Sequence, residues 1–312
     1  MPAALSLEHF HPPLPFAVAL SGGADSCALL LACVKRWPGQ VRAVHVHHGL
    51  QLAADGFVLH CQQLCQQLAV PLVVQHVHAV HAQGESPEDA ARQARYTAFK
   101  QALQSNWGGT IKHTVLAQHA DDQVETMLLA LSRGAGVPGL SAMPERIERD
   151  GLVIHRPWLL VPGQALRDWL LSMGVTWVED PSNTNTRYTR NKIRHQLMPA
   201  LQAAFPSFRS TFARSARHAA QAQTLLVTLA QQDLQTVGEP PQIALLQGMS
   251  EARAANLLRY WLKLKGVQAS TRQLDALWVQ IKACQTRGHQ IDIKVGEGFV
   301  RRSGAVLDWY NF

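Results

Sequence analysis

Cysteine is scarce in this chain: there are five in 312 residues, and the odd number excludes a fully paired disulfide framework. Long apolar runs are missing as well, because no stretch reaches the roughly 18 consecutive apolar residues that a transmembrane helix needs. Residues 1–16 lack a basic segment followed by an apolar stretch, so we expect no secretory signal. These absences predict a protein of the reducing cytoplasm with no part in a membrane.

Acidic residues are missing from one segment, residues 181–232. Residues 1–180 hold 12 Lys and Arg against 15 Asp and Glu, a net charge of −3, whereas residues 181–312 hold 17 against 7, a net charge of +10. The cations of the acid-free segment are Arg187, Arg190, Lys192, Arg194, Arg209, Arg214 and Arg217. This asymmetry predicts a polyanionic partner, and a solvated basic helix surface is the alternative.

The first half of the chain alternates short apolar runs with helical patterns. Strands are predicted at residues 16–20, 41–46, 70–77, 114–117, 152–155 and 175–178. Helices are predicted between them, at residues 26–35, 56–68, 87–103, 121–131 and 164–173. This alternation predicts an α/β fold with a doubly wound, mostly parallel sheet, which binds its ligands at the carboxyl ends of the strands.

The second half has a different pattern, in which helices dominate. Long basic helices are predicted at residues 189–204 and 207–237, before a linker at residues 238–241. A small α+β unit follows, with helices near residues 251–265 and 271–283 and strands near 291–295 and 300–302. We therefore expect a helical region and then a small α+β C-terminal domain.

The strongest local motif is Ser21-Gly22-Gly23-Ala24-Asp25-Ser26, which follows the first strand and opens the first helix. Two glycines let a phosphate approach the backbone closely, and the start of a helix offers free N–H groups and the positive end of its dipole. Asp25 would repel a phosphate, so its carboxylate indicates a Mg²⁺ ion that bridges to the phosphates. An ordinary capped turn is the alternative.

A second cluster follows the fourth predicted strand. It contains Asp121, Asp122 and Glu125, and the last two are spaced to lie on one face of the predicted helix. Neighbouring carboxylates attract a cation, either a metal ion or an ammonium group. Acids that complement the dipole of the helix N-terminus are the alternative.

The phosphate loop resembles that of the PP-loop ATP pyrophosphatases, which split ATP between its α and β phosphates. Four further segments accompany the two clusters: VHHGL at residues 46–50, EDAARQARY at 88–96, RGAGVPGL at 133–140, and WVEDPSN with RNKIR between 177 and 194. Over about residues 15–200 this ordered set is similar to the tRNA(Ile)-lysidine synthetase family.

That resemblance implies an ATP-dependent ligation of free L-lysine to C2 of the wobble cytidine in a CAU-anticodon tRNA(Ile). The reaction passes through an adenylated tRNA, uses ATP and Mg²⁺, and releases AMP and pyrophosphate; whether the enzyme is a homodimer stays open. The expected segments are a PP-loop catalytic domain, a basic helical extension and a small tRNA-binding domain, at residues 1–185, 186–238 and 239–312.

The resemblance also implies roles for individual residues. The phosphate-loop role falls on Ser21, Gly22, Gly23, Ala24, Asp25 and Ser26. The catalytic roles fall on Asp25 as metal ligand, on Asp122 and Glu125 as lysine ligands, and on Arg194. The resemblance places contacts with the nucleotide and the tRNA on Arg92 and Arg194, and further tRNA contacts are expected from Arg190, Arg209, Arg214 and Arg217 by their place in the acid-free segment. Gln118 stands where many members carry His, so its side chain receives no role.

Three alternatives stay open at this point. A tRNA thiolase would need suitably placed cysteines, whereas four cysteines lie on predicted helices without Cys-x-x-Cys spacing: Cys27, Cys33, Cys61 and Cys65. An amidating enzyme of the GMP-synthetase type would need an ammonia source, and no glutaminase domain is recognisable. A non-catalytic ATP-binding protein with an RNA-binding tail would have no use for the acidic pair.

Overall fold

The computed structural model describes residues 2–47, 54–77, 87–286 and 288–311. The chain divides into two compact units, Met1–Ala219 and Ala220–Phe312. This boundary differs from those at residues 185 and 238 in the expected functional segments, which stay a prediction. Among the described residues, no helix combines the length and the apolar character that crossing a membrane requires.

The first unit is built on a six-stranded sheet. Its strands are β1 (Phe16–Ala19), β2 (Val41–His47), β3 (Leu72–His76), β4 (His113–Val115), β5 (Arg146–Arg149) and β6 (Leu152–His155). The strand order is β3-β2-β1-β4-β6-β5, and every pairing is parallel except that of β5 with β6. The predicted mostly parallel sheet is therefore confirmed.

Helices connect these strands and continue the chain beyond the sheet. They are α1 (Ala24–Arg36), α2 (Ala54–Gln67), α3 (Pro87–Trp107), α4 (Ala120–Ser132), α5 (Val137–Leu140), α6 (Gly163–Ser172), α7 (Thr189–Lys192), α8 (Met198–Ala204) and α9 (Phe208–Val237). A π-helical turn, Ile193–Leu197, separates α7 from α8, so the helix predicted at residues 189–204 is interrupted.

Both faces of the sheet are buried at its inner strands, such as β1 and β6, as expected for parallel strands joined by helices. Along β1, Phe16 and Val18 pack on the side of α1, α2 and α6, whereas Ala17 packs on the opposite side, against α3. Successive strand residues point to opposite faces, so this alternation gives the sheet two separate apolar cores. The loops at the carboxyl edge are thereby held on a rigid base.

The strand predicted at residues 175–178 is wrong. Val178 donates its N–H to the carbonyl of Gly22 at 3.0 Å, so this segment braces the phosphate loop instead of joining the sheet. The edge beside β6 is taken by β5, whose four residues are all exposed. Apolar alternation could not reveal β5, because neither of its faces is buried.

The second unit is a small α+β unit, as predicted. Its elements after α9 are α10 (Ile243–Gln247), α11 (Glu251–Leu264), α12 (Thr271–Ala283), β7 (Asp292–Val295), β8 (Gly298–Ser303) and β9 (Val306–Tyr310). The three strands form an antiparallel sheet in the order β7-β8-β9, and Gly296 turns between the first two with a φ of +61°. Trp261 and Leu257 are fully buried in its core.

Candidate active site

The phosphate loop connects β1 to α1. Gly22 has a φ of +91°, which favours glycine, and a Cβ atom there would lie in tight contact with Sγ of Cys61, at 3.3 Å. Ser26 Oγ accepts the N–H of Ser21 at 3.1 Å and donates to the carbonyl of Gly23 at 3.0 Å. Gly23 is the N-cap of α1 and has no side chain that could cap the helix, so the first N–H groups of the helix stay available to an anion.

Asp25 lies in the first turn of α1 and faces the end of β4. Its Oδ2 is 3.4 Å from Nε2 of His119, while its buried Oδ1 has no hydrogen-bond partner within the described residues. Buried carboxylate oxygens are normally satisfied, so an unpaired one marks a position for a further group. The predicted metal ligand is therefore placed beside the phosphate loop with one oxygen to spare.

Helix α4 begins with a reciprocal cap centred on His119. Nδ1 of His119 accepts the N–H of Asp121 at 3.2 Å, and Oδ2 of Asp122 accepts the N–H of His119 at 3.0 Å. A Cβ atom on Gly163 would lie 2.8 Å from Cε1 of His119, so glycine at the start of α6 leaves room for the imidazole. The cap fixes the imidazole between α4 and Asp25.

His119 was not singled out from the sequence, although it is surrounded by acids. Burial lowers the pKa of His119, but Asp122, Asp25 and Asp121 raise it more, to about 9. The sequence does place this histidine between the end of a predicted strand and three acidic residues, which could have drawn attention to it. Its role as the cap of α4 beside Asp25 is visible only in the structure.

Both carboxylate oxygens of Asp121 are used in hydrogen bonds within the protein. Its Oδ2 accepts the N–H of Gly163 at 2.7 Å, and its Oδ1 accepts Nε of Arg209 at 2.6 Å. Arg209 was predicted to contact tRNA, and this too stays a prediction; in the structure its Nε donates to Asp121. Arg214 and Arg217 are exposed on α9, where that prediction stays untested.

Asp122 and Glu125 lie together, as the spacing predicts, and both contact Arg194. Arg194 donates Nε to Oε1 of Glu125 at 2.8 Å, and its Nη2 is 3.5 Å from Oδ1 of Asp122. Arg190 Nη1 lies 3.7 Å from Oε2 of Glu125. Burial raises the pKa of Glu125 against the opposing effect of Arg194, whose own pKa is raised by the pair. Arg190 and Arg194, both predicted as site residues, thus lie against the acidic pair.

The two carboxylates differ in access. The side chain of Glu125 is 0% exposed, whereas that of Asp122 is 19% exposed. A cationic ligand from solvent can therefore reach Asp122 without displacing the Arg194–Glu125 pair.

Arg92, the remaining predicted arginine, lies near the start of α3. It donates Nε to the hydroxyl of Tyr96 at 3.1 Å. Arg156, which follows β6, also donates to this hydroxyl, at 3.3 Å, and donates Nε to Oε1 of Gln118. Sequence patterns gave no reason to select Arg156, because these contacts join residues far apart in the chain.

The residues present fit a magnesium ion held jointly with phosphates. Among the described residues, no group of three or more His, Cys, Asp and Glu side chains could hold a metal by itself. Mg²⁺ commonly uses one or two carboxylates and completes its shell with waters and substrate phosphates. The unpaired Oδ1 of Asp25, next to the phosphate loop, suits that arrangement.

Both parts of the chain match known family models. Residues 6–201 match the PP-loop domain, and residues 242–306 match the TilS substrate binding domain. The chain is 57% identical to a tRNA(Ile)-lysidine synthase of Polaromonas naphthalenivorans (strain CJ2), across 94% of this chain and 89% of the relative. It is 40% identical to a tRNA(Ile)-lysidine synthase of Escherichia coli O157:H7, across 94% of this chain and 68% of the relative.

Among solved structures, a U34-tRNA thiolase from Methanococcus maripaludis, NcsA, which carries a [4Fe-4S] cluster, has a similar fold. The TM-score is 0.57 and the sequence identity 11%, across 69% of this chain and 74% of the thiolase. At that identity the likeness concerns the fold alone.

Proposed function

The chain belongs to the tRNA(Ile)-lysidine synthase family, and from that premise we propose the following reaction and site. The enzyme ligates free L-lysine to C2 of the wobble cytidine in a CAU-anticodon tRNA(Ile), converting ATP to AMP and pyrophosphate. One observation carries this proposal: Asp25 in the phosphate loop and Asp122 on α4 share His119, whose Nε2 is 3.4 and 3.7 Å from them. This shared contact supports neighbouring sites for the nucleotide and the amine.

The chemistry explains why the two sites must adjoin. The oxygen on C2 of cytidine is a poor leaving group, and adenylation makes it a good one: the oxygen attacks the α-phosphorus of ATP and pyrophosphate departs. The lysine ε-amine then bonds to C2, the C2–O bond breaks and AMP leaves with the oxygen. Positioning the amine close to C2 supplies a large part of the rate enhancement in such a transfer.

We assign residues of the chain to the successive steps of this reaction. The start of α1 and Ser21 bind ATP phosphates, and Asp25 would hold a Mg²⁺ ion, which would offset negative charge on those phosphates. Asp122 binds the lysine ammonium because it is the more accessible of the acidic pair. Glu125 holds Arg194 close to the reacting groups. The amine must lose a proton before it attacks, since an ammonium group has no lone pair.

Cysteine chemistry of the thiolase type is not favoured. Burial raises the pKa of both Cys27 and Cys65 to about 12, and it raises the pKa of Cys33 and Cys61 as well. All four are buried thiols, whereas a sulfur-transfer or cluster-binding role requires thiolates.

The setting follows from the substrates. We place the enzyme in the cytoplasm, where tRNA, ATP and free lysine are found and where thiols stay reduced. The tRNA backbone is expected along the basic segment, at Arg190, Arg214 and Arg217, because phosphates attract clustered cations. The proposal requires no second copy of the chain, and a homodimer stays a matter for measurement.

A transfer assay with radiolabelled lysine tests the function. The full chain, ATP and Mg²⁺ are incubated with CAU-anticodon tRNA(Ile), and label in the tRNA is compared with AMP formed. We expect about one AMP per lysine incorporated, and no incorporation into CAU-anticodon tRNA(Met) or without ATP. Pyrophosphate release with tRNA(Ile) that continues without lysine incorporation would contradict the assignment.

A further inference from the structure

Arg156 is a buried cation with uncharged partners. It is 1% exposed, and it donates to three oxygens on three parts of the fold. These are Oε1 of Gln118 after β4, the carbonyl of Pro144 at 2.9 Å and the hydroxyl of Tyr96 on α3 at 3.3 Å. Burying a guanidinium is costly even when it is hydrogen-bonded, and burial lowers the pKa of Arg156. Such a cation calls for a reason beyond packing.

The hydroxyl of Tyr96 joins this buried cation to an exposed one. Arg92, one helical turn earlier on α3, donates Nε to the same oxygen at 3.1 Å, and its guanidinium lies 5.7 Å from the centre of the Tyr96 ring. Burial raises the pKa of Tyr96, but Arg92 and Arg156 lower it more, so the net direction is downward. One phenol oxygen therefore accepts from two guanidiniums, and Arg92 is held in one orientation.

We propose that Tyr96 and Arg156 are positioning residues that hold Arg92 ready for a phosphate of the tRNA backbone. This inference rests on the proposed function and deepens it, because it gives the RNA a contact outside the acid-free segment. In the network of Arg92, Tyr96 and Arg156, two positively charged guanidiniums donate to one neutral oxygen. The net positive charge of the network favours binding of an anion. Ordering Arg92 beforehand lowers the entropy lost when the anion binds.

The location favours the tRNA over ATP as the source of that phosphate. ATP phosphates are provided for at the start of α1, which packs on one face of the sheet. Tyr96 packs with Phe99 on the other face, against a separate core. Because α3 follows β3, its first turns lie at the carboxyl edge, beside the site but across the sheet from the phosphate loop.

The test measures tRNA affinity across a salt series, without turnover, alongside steady-state kinetics. Tyr96→Phe removes one hydroxyl and keeps the ring. We expect it to weaken tRNA binding about 5- to 10-fold and to leave the KM for ATP within about twofold, since the charge-assisted hydrogen bond that orders Arg92 is lost together with that from Arg156. Arg92→Gln should weaken tRNA binding further and lower the slope of log K against log salt by about 0.7–0.9, the value for one phosphate contact.

A double variant separates positioning from mere packing. If Tyr96 acts through Arg92, Tyr96→Phe adds nothing in an Arg92→Gln background, whereas independent effects would add. Thr110→Val is the matched control, because it removes a hydroxyl that donates to the carbonyl of Trp107 at 2.7 Å, just beyond the far end of α3. It should leave tRNA affinity unchanged.

Three results would overturn the inference: additive effects in the double variant, an unchanged salt slope in Arg92→Gln, or a rise in the KM for ATP without loss of tRNA affinity. The last result would assign Arg92 to the nucleotide. If Tyr96→Phe unfolds, the salt slope of Arg92→Gln, an exposed position, decides the question. Failure of lysine transfer by the unaltered chain would refute the proposed function, while tRNA affinity still tests this inference separately.

Discussion

At the scale of single residues, Asp25 has the clearest assignment to test. It lies in the first turn of α1 with Oδ1 buried and without a hydrogen-bond partner within the described residues. We expect Asp25→Asn to lower the rate of AMP formation on the order of 100-fold or more, because a lost metal contact removes several kcal/mol of transition-state stabilisation. Affinity for tRNA, measured in the same preparations, should be unchanged.

Asp168→Asn is the matched control for Asp25, because it makes the same substitution at an exposed carboxylate whose Oδ1 accepts from Gln164. It should leave AMP formation unaltered. Near-normal AMP formation by Asp25→Asn would remove Asp25 from the metal site.

The different access of Asp122 and Glu125 gives a second prediction. Asp122→Asn should raise the KM for lysine roughly 10- to 100-fold, the cost of one charged hydrogen bond, with little change in the KM for ATP. Glu125→Gln should mainly lower kcat, because it releases Arg194 from a carboxylate that is 0% exposed. Steady-state kinetics with lysine as the varied substrate distinguish the two patterns. The reverse pattern would place the ammonium on Glu125.

The residues of this site were predictable to different degrees. Asp25, Asp122 and Glu125 lie in ordered motifs directly after strands, so parallel topology alone brings them to one edge. His119 acquires its role by capping α4 and contacting Asp25, which no local pattern expresses. Arg156 is harder still, because its contact with Tyr96 joins residues 60 positions apart. Motif order predicts which segments meet, and packing decides which side chains do.

At the scale of elements, the segment Thr189–Ala204 shows how a helix prediction can be right in kind and wrong in detail. The pattern predicts one continuous helix, whereas a π-helical turn at Ile193–Leu197 divides it. Pro199, in the first turn of α8, has no N–H to donate to the preceding turn, which interrupts the ordinary ladder. The wider turn carries Arg194, and π-helical turns are frequent at functional sites.

Helix α9 carries the prediction about the basic segment. Arg214 and Arg217 are exposed on one helix face, three residues apart, whereas Arg209 is paired with Asp121. Replacing Arg214 and Arg217 together by Gln should weaken tRNA binding and lower the salt slope by about 1.4–1.8, the value for two phosphate contacts. Binding of tRNA is measured across a salt series, and binding of ATP should not change.

The control for α9 makes the same change of charge elsewhere. Arg36 and Lys112 are exposed at the end of α1 and just before β4, which is the amino edge of the sheet, opposite the site. Their joint replacement by Gln should leave the slope unchanged. Equal slopes in both double variants would make the α9 arginines a solvated surface.

At the scale of the whole molecule, the sequence predicted the two kinds of architecture but not where one unit ends. The α/β alternation and the later helices with short strands were both readable, because each has its own apolar period. The boundary at Ala219 lies inside α9, and a continuous amphipathic helix has no local signal for such a division. Segment boundaries drawn from sequence motifs therefore do not coincide with the structural units, and they do not decide which unit binds tRNA.

Global stability should depend on a histidine pair away from the catalytic groups. Burial, followed by the charges of His113 and Arg146, lowers the pKa of His155 from 6.5 to about 4. Its Nε2 lies 2.9 Å from Nδ1 of His113, and the Phe10 ring packs against it. The folded state therefore keeps His155 neutral at pH values where the unfolded chain binds a proton.

The sign of the effect follows from this difference. The stability contributed by neutral His155 is complete above pH 6.5 and is lost as the pH falls toward 4, because the unfolded state then binds the extra proton. After allowance for solvent screening at this partly exposed side chain, we expect a loss of about 1–2 kcal/mol. Urea unfolding between pH 7 and pH 4 measures it. His155→Gln should flatten this part of the profile, while His218→Gln, at an exposed position on α9, should follow the unaltered protein. If the His155→Gln profile keeps the full slope, acid sensitivity originates in the carboxylates, and the histidine pair contributes nothing measurable to it.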